Sequence, residues 1–383
     1  MVQRILSYIG AIDVMKKILI LGNHAEGLYN FRKQLIQKLI TEHFDVHYSV
    51  PAHPKVDRLK AIGGIYHEIR MNRRGMNPFE DFRILSHYYS LIKTVNPDVI
   101  LTYTIKPNVY GGIAAALFKK PVIANITGLG SSFQRNNSIA YLVKKLYTLG
   151  LRKANSVFFQ NQENLEFFLK NKVIPKSKAT LLPGSGVSIS DFFPIDNPRK
   201  DNTLQFLFIG RIMTDKGIYE FLSAAYDIKK NSKNTSFKII GDYDEAQYKT
   251  DIANMVNEGV VEYLGVLSDV REEISKSDCI VLPSYHEGMS NVLLEGASMG
   301  KPLITTRVHG CKEIVEDGKN GFLCAPKDAE SLKEAIIKFI KLPNTKRKEM
   351  GLRSREKVVH EFNRDIIIDK YLDKIESITN ESR

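Results

Sequence analysis

The segment PSYHEGMSNVLLEGASMGKPLI, residues 283–304, brings two carboxylates and a helix start close together in the sequence. Glu287 lies in a loop after an apolar strand, and Glu295 lies in a predicted helix that begins near Ser290, a favourable N-cap residue. A carboxylate ahead of such a helix can bind sugar hydroxyls, one inside it can hold a ribose diol, and the first amides can bind an anion. The alternative is a plain strand–loop–helix with two solvated glutamates, which the backbone freedom of Gly288 disfavours.

A second group of chemically useful residues lies in FIGRIMTDKG, residues 208–217, where a strand ends and a helix opens. Arg211 can bind a phosphate group through two parallel hydrogen bonds, and Lys216 adds a point charge. Both residues follow a strand, at the edge where open α/β sheets bind ligands. The alternative is a surface arginine and lysine near a turn. The neighbouring carboxylate motif favours the phosphate-binding interpretation.

These motifs lie within a regular alternation of short apolar runs and longer helical patterns. Strands this apolar, separated by helices, predict parallel sheets that are covered on both faces. We therefore expect two doubly wound α/β domains that face each other across a cleft at the carboxyl ends of their strands. The predicted strands are 16–22, 45–50, 98–103, 121–126 and 156–161 in the first series and 204–210, 237–242, 261–265, 279–284 and 302–306 in the second. The predicted helices of the first series include 28–41, 80–95 and 138–152.

The domain linker is predicted in LLPGSGVSISDFFPIDNPRKDN, which separates the two series and is rich in Gly, Ser, Pro and Asp. This predicts a first Rossmann-like domain over residues 1–198 and a second over residues 199–360. A C-terminal helix over residues 361–383 is expected to pack back on the first domain. Residues 1–14 precede the first strand without a secretory pattern. We interpret them either as a frayed tail or as a translation-start ambiguity, with Met15 as the candidate true start.

The composition is that of an ordinary soluble globular protein, with 383 residues of which 43% are hydrophobic and 26% charged. At ~150 residues per domain, this length favours two domains. No apolar run approaches the ~20 residues of a membrane-spanning helix, which excludes an integral membrane protein. Three cysteines, Cys279, Cys311 and Cys324, without CxxC spacing predict a reducing compartment, no disulfide framework and no zinc site.

The formal net charge of +12 at pH 7 is concentrated in the first half of the chain. Residues 1–198 contain 26 Lys and Arg against 13 Asp and Glu, whereas residues 199–383 contain 29 against 30. Such a basic half predicts a face that meets an anionic partner, namely a nucleic acid, a phosphorylated substrate or a membrane surface. A basic surface that serves only solubility is the alternative. Nucleic acid is the least favoured partner, because the sequence has no Trp, no aromatic-rich basic stretch and no helix-turn-helix pattern.

The two motifs together resemble those of the retaining glycosyltransferases of family 4, which have the GT-B fold. GRIMTDKG pairs with a Glu-x7-Glu element formed by Glu287 and Glu295, and HGCKEIVEDGKNGFLCAP, residues 309–326, also fits. The resemblance runs from ILILGNHAEGLYNFR to the C-terminal helix. It is strongest for bacterial enzymes that extend polyprenyl-diphosphate-linked sugars, such as the N-acetylgalactosaminyltransferases of O-antigen, other surface-polysaccharide and protein-glycosylation pathways. The segments that indicate this are NRRGMNPFEDFRIL, LTYTIKPNVYGGIAA, NITGLGSSF and LLPGSGVSISDFFP.

The resemblance implies that the matching residues bind a nucleotide sugar, which we expect to be UDP-linked. Arg211 and Lys216 would bind the donor diphosphate and stabilise it as it leaves. Glu287 would hold the transferring sugar, and Glu295 would hold the ribose. The catalytic residues implied are Glu287, Arg211 and Lys216. The further donor contacts implied are Gly27, Leu267 in the base-lining loop Leu264–Asp269, Gly288, Met289, Ser290, Asn291 and Val292.

The acceptor side departs from the family pattern at one position. Many relatives carry a histidine just before the position of Lys106, where this chain has Ile105, so the family's role for that side chain does not transfer. Lys106 is the candidate to replace it. His24 is a second acceptor-side candidate, against the alternative of a surface or packed histidine. Arg73 and Arg74 are candidates for contact with a lipid diphosphate.

The resemblance also implies transfer with retention of configuration, without a metal ion and without a cofactor. No DxD-like acidic pair with a matching partner follows a strand, so cations and helix amides are expected to take the charge of the departing diphosphate. A nucleotide-sugar epimerase of the same fold is the competing enzyme class, which GRIMTDKG disfavours.

Segment 135–153 mixes apolar and basic residues, which predicts a basic amphipathic helix lying on an anionic bilayer. An interior helix with a charged outer face is the alternative. The protein is accordingly expected in the cytoplasm, peripheral to the inner face of the cell membrane.

Overall fold

The computed structural model describes residues 15–72, 77–128, 138–197, 203–232 and 234–380. The chain forms two compact units. The first contains the residues up to Leu182 together with those from Ile368 onward, and the second is Pro183–Ile367. Each unit is built on its own parallel sheet.

The described part of the first unit has seven strands joined by helices. Its strands are β1 (Lys17–Leu21), β2 (Asp45–Val50), β3 (Ile65–Glu68), β4 (Val99–Tyr103), β5 (Val122–Ile126), β6 (Ser156–Phe159) and β7 (Ala179–Leu181). They pair in parallel in the order β3-β2-β1-β4-β5-β6-β7. Its helices are α1 (Ala25–Thr41), α2 (Lys55–Ile62), α3 (Pro78–Val95), α4 (Gly112–Leu117), α5 (Ser138–Leu151) and α6 (Gln162–Lys170), with a π-helix over Pro107–Gly111 and a 3₁₀ turn over Lys176–Lys178.

Within its described residues, the second unit has six strands, also all parallel. They are β8 (Leu204–Ile209), β9 (Thr235–Ile240), β10 (Glu262–Tyr263), β11 (Cys279–Leu282), β12 (Leu303–Thr306) and β13 (Gly321–Cys324). Their order is β10-β9-β8-β11-β12-β13. The helices are α7 (Ile218–Asn231), α8 (Tyr248–Asn257), α9 (Arg271–Lys276), α10 (Asn291–Ser298), α11 (Ala329–Ile340), α12 (Asn344–Lys357) and α13 (Arg364–Asn380), with a 3₁₀ turn over Thr214–Lys216 and a π-helix over Val358–Phe362.

The central strands are buried along nearly their whole length because both faces of each sheet are covered. In β1, the four consecutive residues from Ile18 to Leu21 have no exposed surface. Successive side chains of a strand point to opposite faces, so both faces of β1 lie in the core. The same holds in β11, where Cys279, Ile280 and Val281 are fully buried. Such continuous burial is typical of parallel sheets.

Both sheets reverse their strand order at one place, between β1 and β4 in the first and between β8 and β11 in the second. At such a point the loops leaving the two neighbouring strands diverge, and the crevice between them is where open α/β sheets bind ligands. In the second unit these loops are residues 210–217 and 283–290, which are the two motifs singled out from the sequence.

The predicted strands agree with the observed ones except at the edges of the sheets. β3 and β7 were not predicted because each has partly exposed side chains, with Ile65 and Leu181 largely in solvent, and lacks a continuous apolar run. β13 was also not predicted, although its sequence GFLC lies within residues 309–326. It is four residues long and directly follows a turn.

The boundary between the units lies at Leu182, earlier than the predicted 198/199. The stretch that follows joins the second unit because its backbone is bonded there. Val187 donates its amide to Phe362 O at 2.9 Å, and its own carbonyl accepts the amide of Arg364 at 3.0 Å. The guanidinium of Arg355 donates to the carbonyl of Phe192 at 3.0 Å. Composition marked this stretch as a linker, but these long-range bonds are not visible in composition.

The C-terminal helix α13 begins in the second unit and continues in the first from Ile368. The hydroxyl of the fully buried Tyr371 donates to Asn125 Oδ1 on β5, and its ring meets that of Phe158 edge to face at 5.0 Å between centroids. Near the end of the helix, Lys16 Nζ donates to Thr379 Oγ1 at 2.8 Å. These contacts fix the end of the chain to the first sheet. Among the described residues, no helix has the length and apolarity that crossing a bilayer requires.

Replacing Tyr371 by phenylalanine removes the donor from a buried amide oxygen while keeping the packed ring. We expect Tyr371→Phe to lower the free energy of unfolding of the first unit by about 1–3 kcal/mol. The matched control is Tyr141→Phe, since Tyr141 is 61% exposed. Urea unfolding compares the two variants with the parent. Equal stability of both variants would contradict the structural role of the Tyr371 hydroxyl.

Candidate active site

Lys216 and Glu287, which are 71 residues apart in sequence, form an ion pair at the carboxyl edge of the second sheet. Lys216 Nζ lies 2.5 Å from Glu287 Oε1, and the two side chains are 19% and 13% exposed. Ser284 Oγ donates to the same carboxylate oxygen at 3.0 Å. The structure thus brings together two of the three residues predicted to be catalytic. A mostly buried carboxylate with two donors is held in one orientation.

The two loops that carry this pair are in direct backbone contact. Gly217 has φ +72°, and a Cβ built on it would lie 2.1 Å from the carbonyl oxygen of Pro283. The carbonyl of Asp215 accepts the amide of Tyr285 at 2.9 Å and the hydroxyl of Ser284 at 3.2 Å. Only glycine allows this approach, because any side chain would separate the loops.

Each of the two loops is also held by side-chain hydrogen bonds to residues on other elements. Thr214 Oγ1 donates to Glu245 Oε2 at 2.7 Å and lies 2.7 Å from Tyr248 Oη. On the other loop, Tyr285 Oη donates to the buried Glu220 at 2.7 Å. Burial and this hydrogen bond raise the pKa of Tyr285. These supports were not predicted, because the partners lie on separate elements and share no local motif.

The loop over residues 309–311 packs on the backbone that carries Glu287. Gly310 has φ +81°, and a Cβ built on it would lie 2.6 Å from the carbonyl oxygen of Glu287. The amide of Ser290 donates to Gly310 O at 2.9 Å, and the amide of Gly310 donates to Glu313 at 2.7 Å. Of the amides predicted to face the donor, that of Ser290 is therefore used within the protein.

Helix α10 begins directly behind this loop. Ser290 is its N-cap, and its hydroxyl accepts the amide of Leu293 at 3.4 Å. Met289 is buried ahead of the cap, and Asn291 and Val292 lie half-buried in the first turn. Gly288 is also half-buried. The start of a helix carries partial positive charge, which favours an anion in front of it.

Glu295 lies on the second turn of α10 and is half-buried. Burial raises its pKa to about 7, an effect that the positive charge of Arg364 opposes. The buried Arg364 guanidinium is held by the carbonyl of Gly186, to which it donates at 2.9 Å. Arg364 was not predicted, because it follows Glu295 by 69 positions and belongs to no motif. A carboxyl in this state can both accept and donate hydrogen bonds near neutral pH.

Arg211 pairs with a different carboxylate from the one that Lys216 contacts. Its guanidinium lies 2.8 Å from Asp244 Oδ2 and is 52% exposed. Asp244 follows the neighbouring strand β9 and was not predicted. The predicted base-lining residue Leu267 is half-buried against the core of the second unit. Nearby, Tyr263 Oη donates to the carbonyl of Gly241 at 2.8 Å.

In the first unit, the predicted residues follow the two strands at the reversal point. Gly27 donates its amide to His24 Nδ1 at 3.2 Å, so that His24 is the N-cap of α1. Lys106 follows β4, is 11% exposed, and lies 3.3 Å from Glu80 and 3.1 Å from Asp81. Ion pairing therefore balances its charge.

The backbone just before Lys106 is strained. Thr104 has φ +73°, which is unfavourable for a β-branched residue, and its buried hydroxyl has no hydrogen-bond partner among the residues that the structure describes. Ile105 packs against the core. A π-helix follows directly, and both strain and π-helices are common at functional sites. Arg73, Arg74 and Arg135 lie outside the described residues.

Two family models match the chain. "Glycosyl transferase 4-like" matches residues 17–161, and "Glycosyl transferases group 1" matches residues 190–357. The chain is 27% identical to the N,N'-diacetylbacillosaminyl-diphospho-undecaprenol alpha-1,3-N-acetylgalactosaminyltransferase of Campylobacter jejuni, over 92% of this chain and 96% of that protein. It is also 27% identical to the UDP-Gal:alpha-D-GlcNAc-diphosphoundecaprenol alpha-1,3-galactosyltransferase of Escherichia coli, over 80% of this chain and 81% of that protein.

Solved structures match over nearly the whole chain. A glycosyltransferase from Rickettsia africae superposes with a TM-score of 0.79 at 20% identity, covering 95% of this chain and 99% of that one. Anabaena HepE in complex with UDP-glucose superposes with a TM-score of 0.78 at 17% identity, covering 94% and 99%. With the two parallel sheets described above, these matches confirm the predicted GT-B fold.

The raised pKa of Glu295 predicts how the free energy of unfolding depends on pH. Its folded pKa of about 7 exceeds the ordinary value of 4.5, so the folded protein holds the proton more tightly and loses stability as pH rises from 4.5 to 7. Glu295→Gln should remove this loss and raise the free energy of unfolding by about 1–3 kcal/mol at pH 8, with little effect near pH 5. Urea unfolding at the two pH values measures it.

The control for this measurement is Glu330→Gln, which removes a negative charge from a side chain that is 65% exposed. A gain of stability in Glu295→Gln that is equal at pH 5 and pH 8 would contradict the assignment of the titrating group.

Proposed function

We propose that the chain transfers a hexose or N-acetylhexosamine with retention of configuration. The premise is that it is a glycosyltransferase in which a 4-like domain precedes a group 1 domain. The donor is a UDP-linked sugar, and the acceptor is a sugar carried on polyprenyl diphosphate. N-Acetylgalactosamine is the first candidate, since the Campylobacter jejuni relative is named for that transfer. Both relatives reported above are named as acting on undecaprenyl-diphosphate-linked sugars.

The observation that carries this proposal is the Lys216–Glu287 pair in front of the N-terminus of α10. Glycosyl transfer separates a sugar that gains positive charge from a diphosphate that gains negative charge. Lys216 and the helix start favour the diphosphate, while the Glu287 carboxylate favours the sugar and accepts its hydroxyls. One site therefore provides both signs of charge at neighbouring positions.

The remaining predicted donor residues take supporting roles. Glu295 holds the ribose hydroxyls, accepting from one and, in its protonated state, donating to the other. Arg211 is 52% exposed, so its guanidinium can exchange Asp244 for a phosphate oxygen. HepE was crystallised with UDP-glucose, and its structural likeness fits a uridine nucleotide as the donor.

Retention of configuration follows when the acceptor attacks the anomeric carbon on the same face from which the diphosphate leaves. The acceptor oxygen forms its bond to the anomeric carbon as the bond from that carbon to the diphosphate oxygen breaks. The departing phosphate oxygen takes the acceptor's proton, so the protein supplies no nucleophile. Lys216 and Arg211 offset the charge that develops on the diphosphate, which is why we propose a reaction without a metal ion.

The same proposal places the protein at the cytoplasmic face of the membrane that carries its acceptor, with α5 as a contact. On this helix the core side chains are Val143, Tyr147 and Leu151. The opposite side exposes Leu142 and Leu149, at 46% and 54%, together with basic residues. The exposed side chains of this stretch are Tyr141, Leu142, Lys145, Leu149, Arg152 and Lys153. Apolar and basic side chains on one exposed face suit an anionic bilayer.

The reaction is tested with the UDP-sugars and a polyprenyl-diphosphate-linked monosaccharide. We expect a disaccharide product with an α-linkage, and a fall in kcat of about 10²-fold or more in Glu287→Gln, which loses the charge that faces the sugar. The control is Glu330→Gln, an exposed glutamate that belongs to none of the motifs. Unfolding curves check that each variant is folded.

Unchanged turnover in Glu287→Gln would refute the assigned site. Conversion of the UDP-sugar to its epimer in the absence of an acceptor would instead identify the protein as an epimerase. Binding of nucleic acid at physiological salt, with no transfer activity, would favour the nucleic-acid alternative.

The membrane contact is tested by flotation with vesicles of phosphatidylglycerol and phosphatidylcholine, or of phosphatidylcholine alone. We expect binding to the anionic vesicles, reduced about tenfold in the double variant Leu142→Ser/Leu149→Ser. The matched control is Leu352→Ser, a leucine of the second unit that is 71% exposed. Negligible binding of the parent to both kinds of vesicle would remove this part of the proposal.

A further inference from the structure

Two histidines of the first unit face each other at the carboxyl edge of its sheet. His24 follows β1 and His53 follows β2, and these strands are neighbours. Their rings meet edge to face with centroids 5.7 Å apart. Both histidines are half-buried. Of the two histidines, only His24 was predicted from the sequence. Their pairing is therefore visible only in the folded structure.

The hydrogen bonds of the two rings fix where their protons lie. His24 Nδ1 accepts the amide of Gly27 at 3.2 Å, and His53 Nδ1 accepts the amide of Lys55 at 3.1 Å. A backbone amide always donates, so each Nδ1 carries a lone pair and the ring proton resides on Nε2. Both Nε2 atoms are therefore hydrogen-bond donors.

This arrangement distinguishes a cation from an anion as the ligand. His24, Glu26 and His53 place one ligand-type atom each within 4.8 Å of one another, which is a spacing that a metal ion could bridge. A metal ion needs the lone pair of Nε2, and that nitrogen carries the proton here. Ring nitrogens that carry a proton instead suit an anionic oxygen.

A carboxylate already occupies this region. Glu26 lies 3.8 Å from His24 Nε2 and 3.4 Å from Lys55 Nζ. It is 41% exposed and sits in the first turn of α1. Glu26 thus lies near the His24 ring and the Lys55 ammonium, and because its side chain is partly exposed it can move into solvent.

The surroundings of Glu26 are basic. Among the described residues, Lys55 and Arg58 lie beside the ring of Tyr29, at 5.7 and 6.0 Å from its centroid. A ligand with several anionic oxygens, such as a diphosphate, offers an acceptor to more of these donors than one carboxylate does.

We infer that His24, His53 and Lys55, here called the basic cluster, bind the diphosphate group of a substrate, and that this substrate displaces Glu26 from its position beside His24 and Lys55. This inference rests on the proposed function, in which both substrates carry a diphosphate. The acceptor is the assigned source, because the donor residues of the second unit already account for the other diphosphate.

The cluster is tested first without the reaction, by calorimetric titration of the whole protein with inorganic pyrophosphate. Lys55→Gln should weaken binding about tenfold, because one charged contact is lost. Glu26→Gln should strengthen binding, because the competing carboxylate is neutralised. The matched control is Lys60→Gln, a 52% exposed lysine of the same helix α2. Opposite effects at two adjacent side chains are not expected of general destabilisation, which unfolding curves check.

Kinetics then identify the source of the diphosphate. A rise of about tenfold in the KM of Lys55→Gln for the lipid-linked acceptor alone, with kcat unchanged, assigns the cluster to the acceptor. A rise in the KM for the UDP-sugar alone keeps the diphosphate site and transfers it to the donor. If the protein has no transferase activity, the pyrophosphate titration still tests the cluster separately.

Two results would overturn the inference. One is pyrophosphate binding that neither Lys55→Gln nor Glu26→Gln changes. The other is tight binding of Zn²⁺ that is lost in His53→Ala, together with no response to pyrophosphate, which would show that the ring nitrogens coordinate a metal ion.

Discussion

The candidate active site depends on one close approach between two backbones. Gly217 and Pro283 come so near that a Cβ on the glycine would lie 2.1 Å from the proline's carbonyl oxygen. This approach lets the carbonyl of Asp215, in the turn after β8, accept hydrogen bonds from Ser284 and Tyr285 in the loop after β11. Lys216, the residue before the glycine, is thereby brought to Glu287. A side chain at position 217 would separate the ion pair together with the loops.

Charge within the second unit is arranged so that each functional group has a partner when no ligand is bound. Lys216 pairs with Glu287, and Arg211 pairs with Asp244. A cation without a partner in a partly buried site would be costly, and an incoming diphosphate offers it an alternative anion. Glu295 is different, because burial raises its pKa despite the nearby Arg364. In many proteins, residues that serve binding are held in a state that lowers the stability of the folded chain. Glu295 fits this pattern, because its raised pKa costs stability at neutral pH.

The sequence was sufficient for the features that are local. Central strands were predicted because burial on both faces demands continuous apolar runs, and Lys216 and Glu287 were predicted because each lies in a compact motif. Edge strands such as β3 have exposed side chains and no such run. Arg364 and Asp244 become part of the site only through contacts across many residues, which no local pattern records. The pairing of His24 with His53 was missed for the same reason, since it requires β1 and β2 to be neighbours.

The uneven charge of the chain is reflected in which of its cations have acidic partners. In the second unit, the cations of the donor motifs meet carboxylates of the same unit, so Lys216 and Arg211 add no net charge. In the first unit, Lys106 is paired with acidic residues, and Lys55 and Arg58 lie beside the ring of Tyr29, with Glu26 next to Lys55. The exposed face of α5 adds further basic residues. Excess positive charge destabilises a folded domain by repulsion unless an anion offsets it. The lipid-linked acceptor and the anionic membrane that we propose as partners carry phosphate groups, whose negative charge would offset these cations.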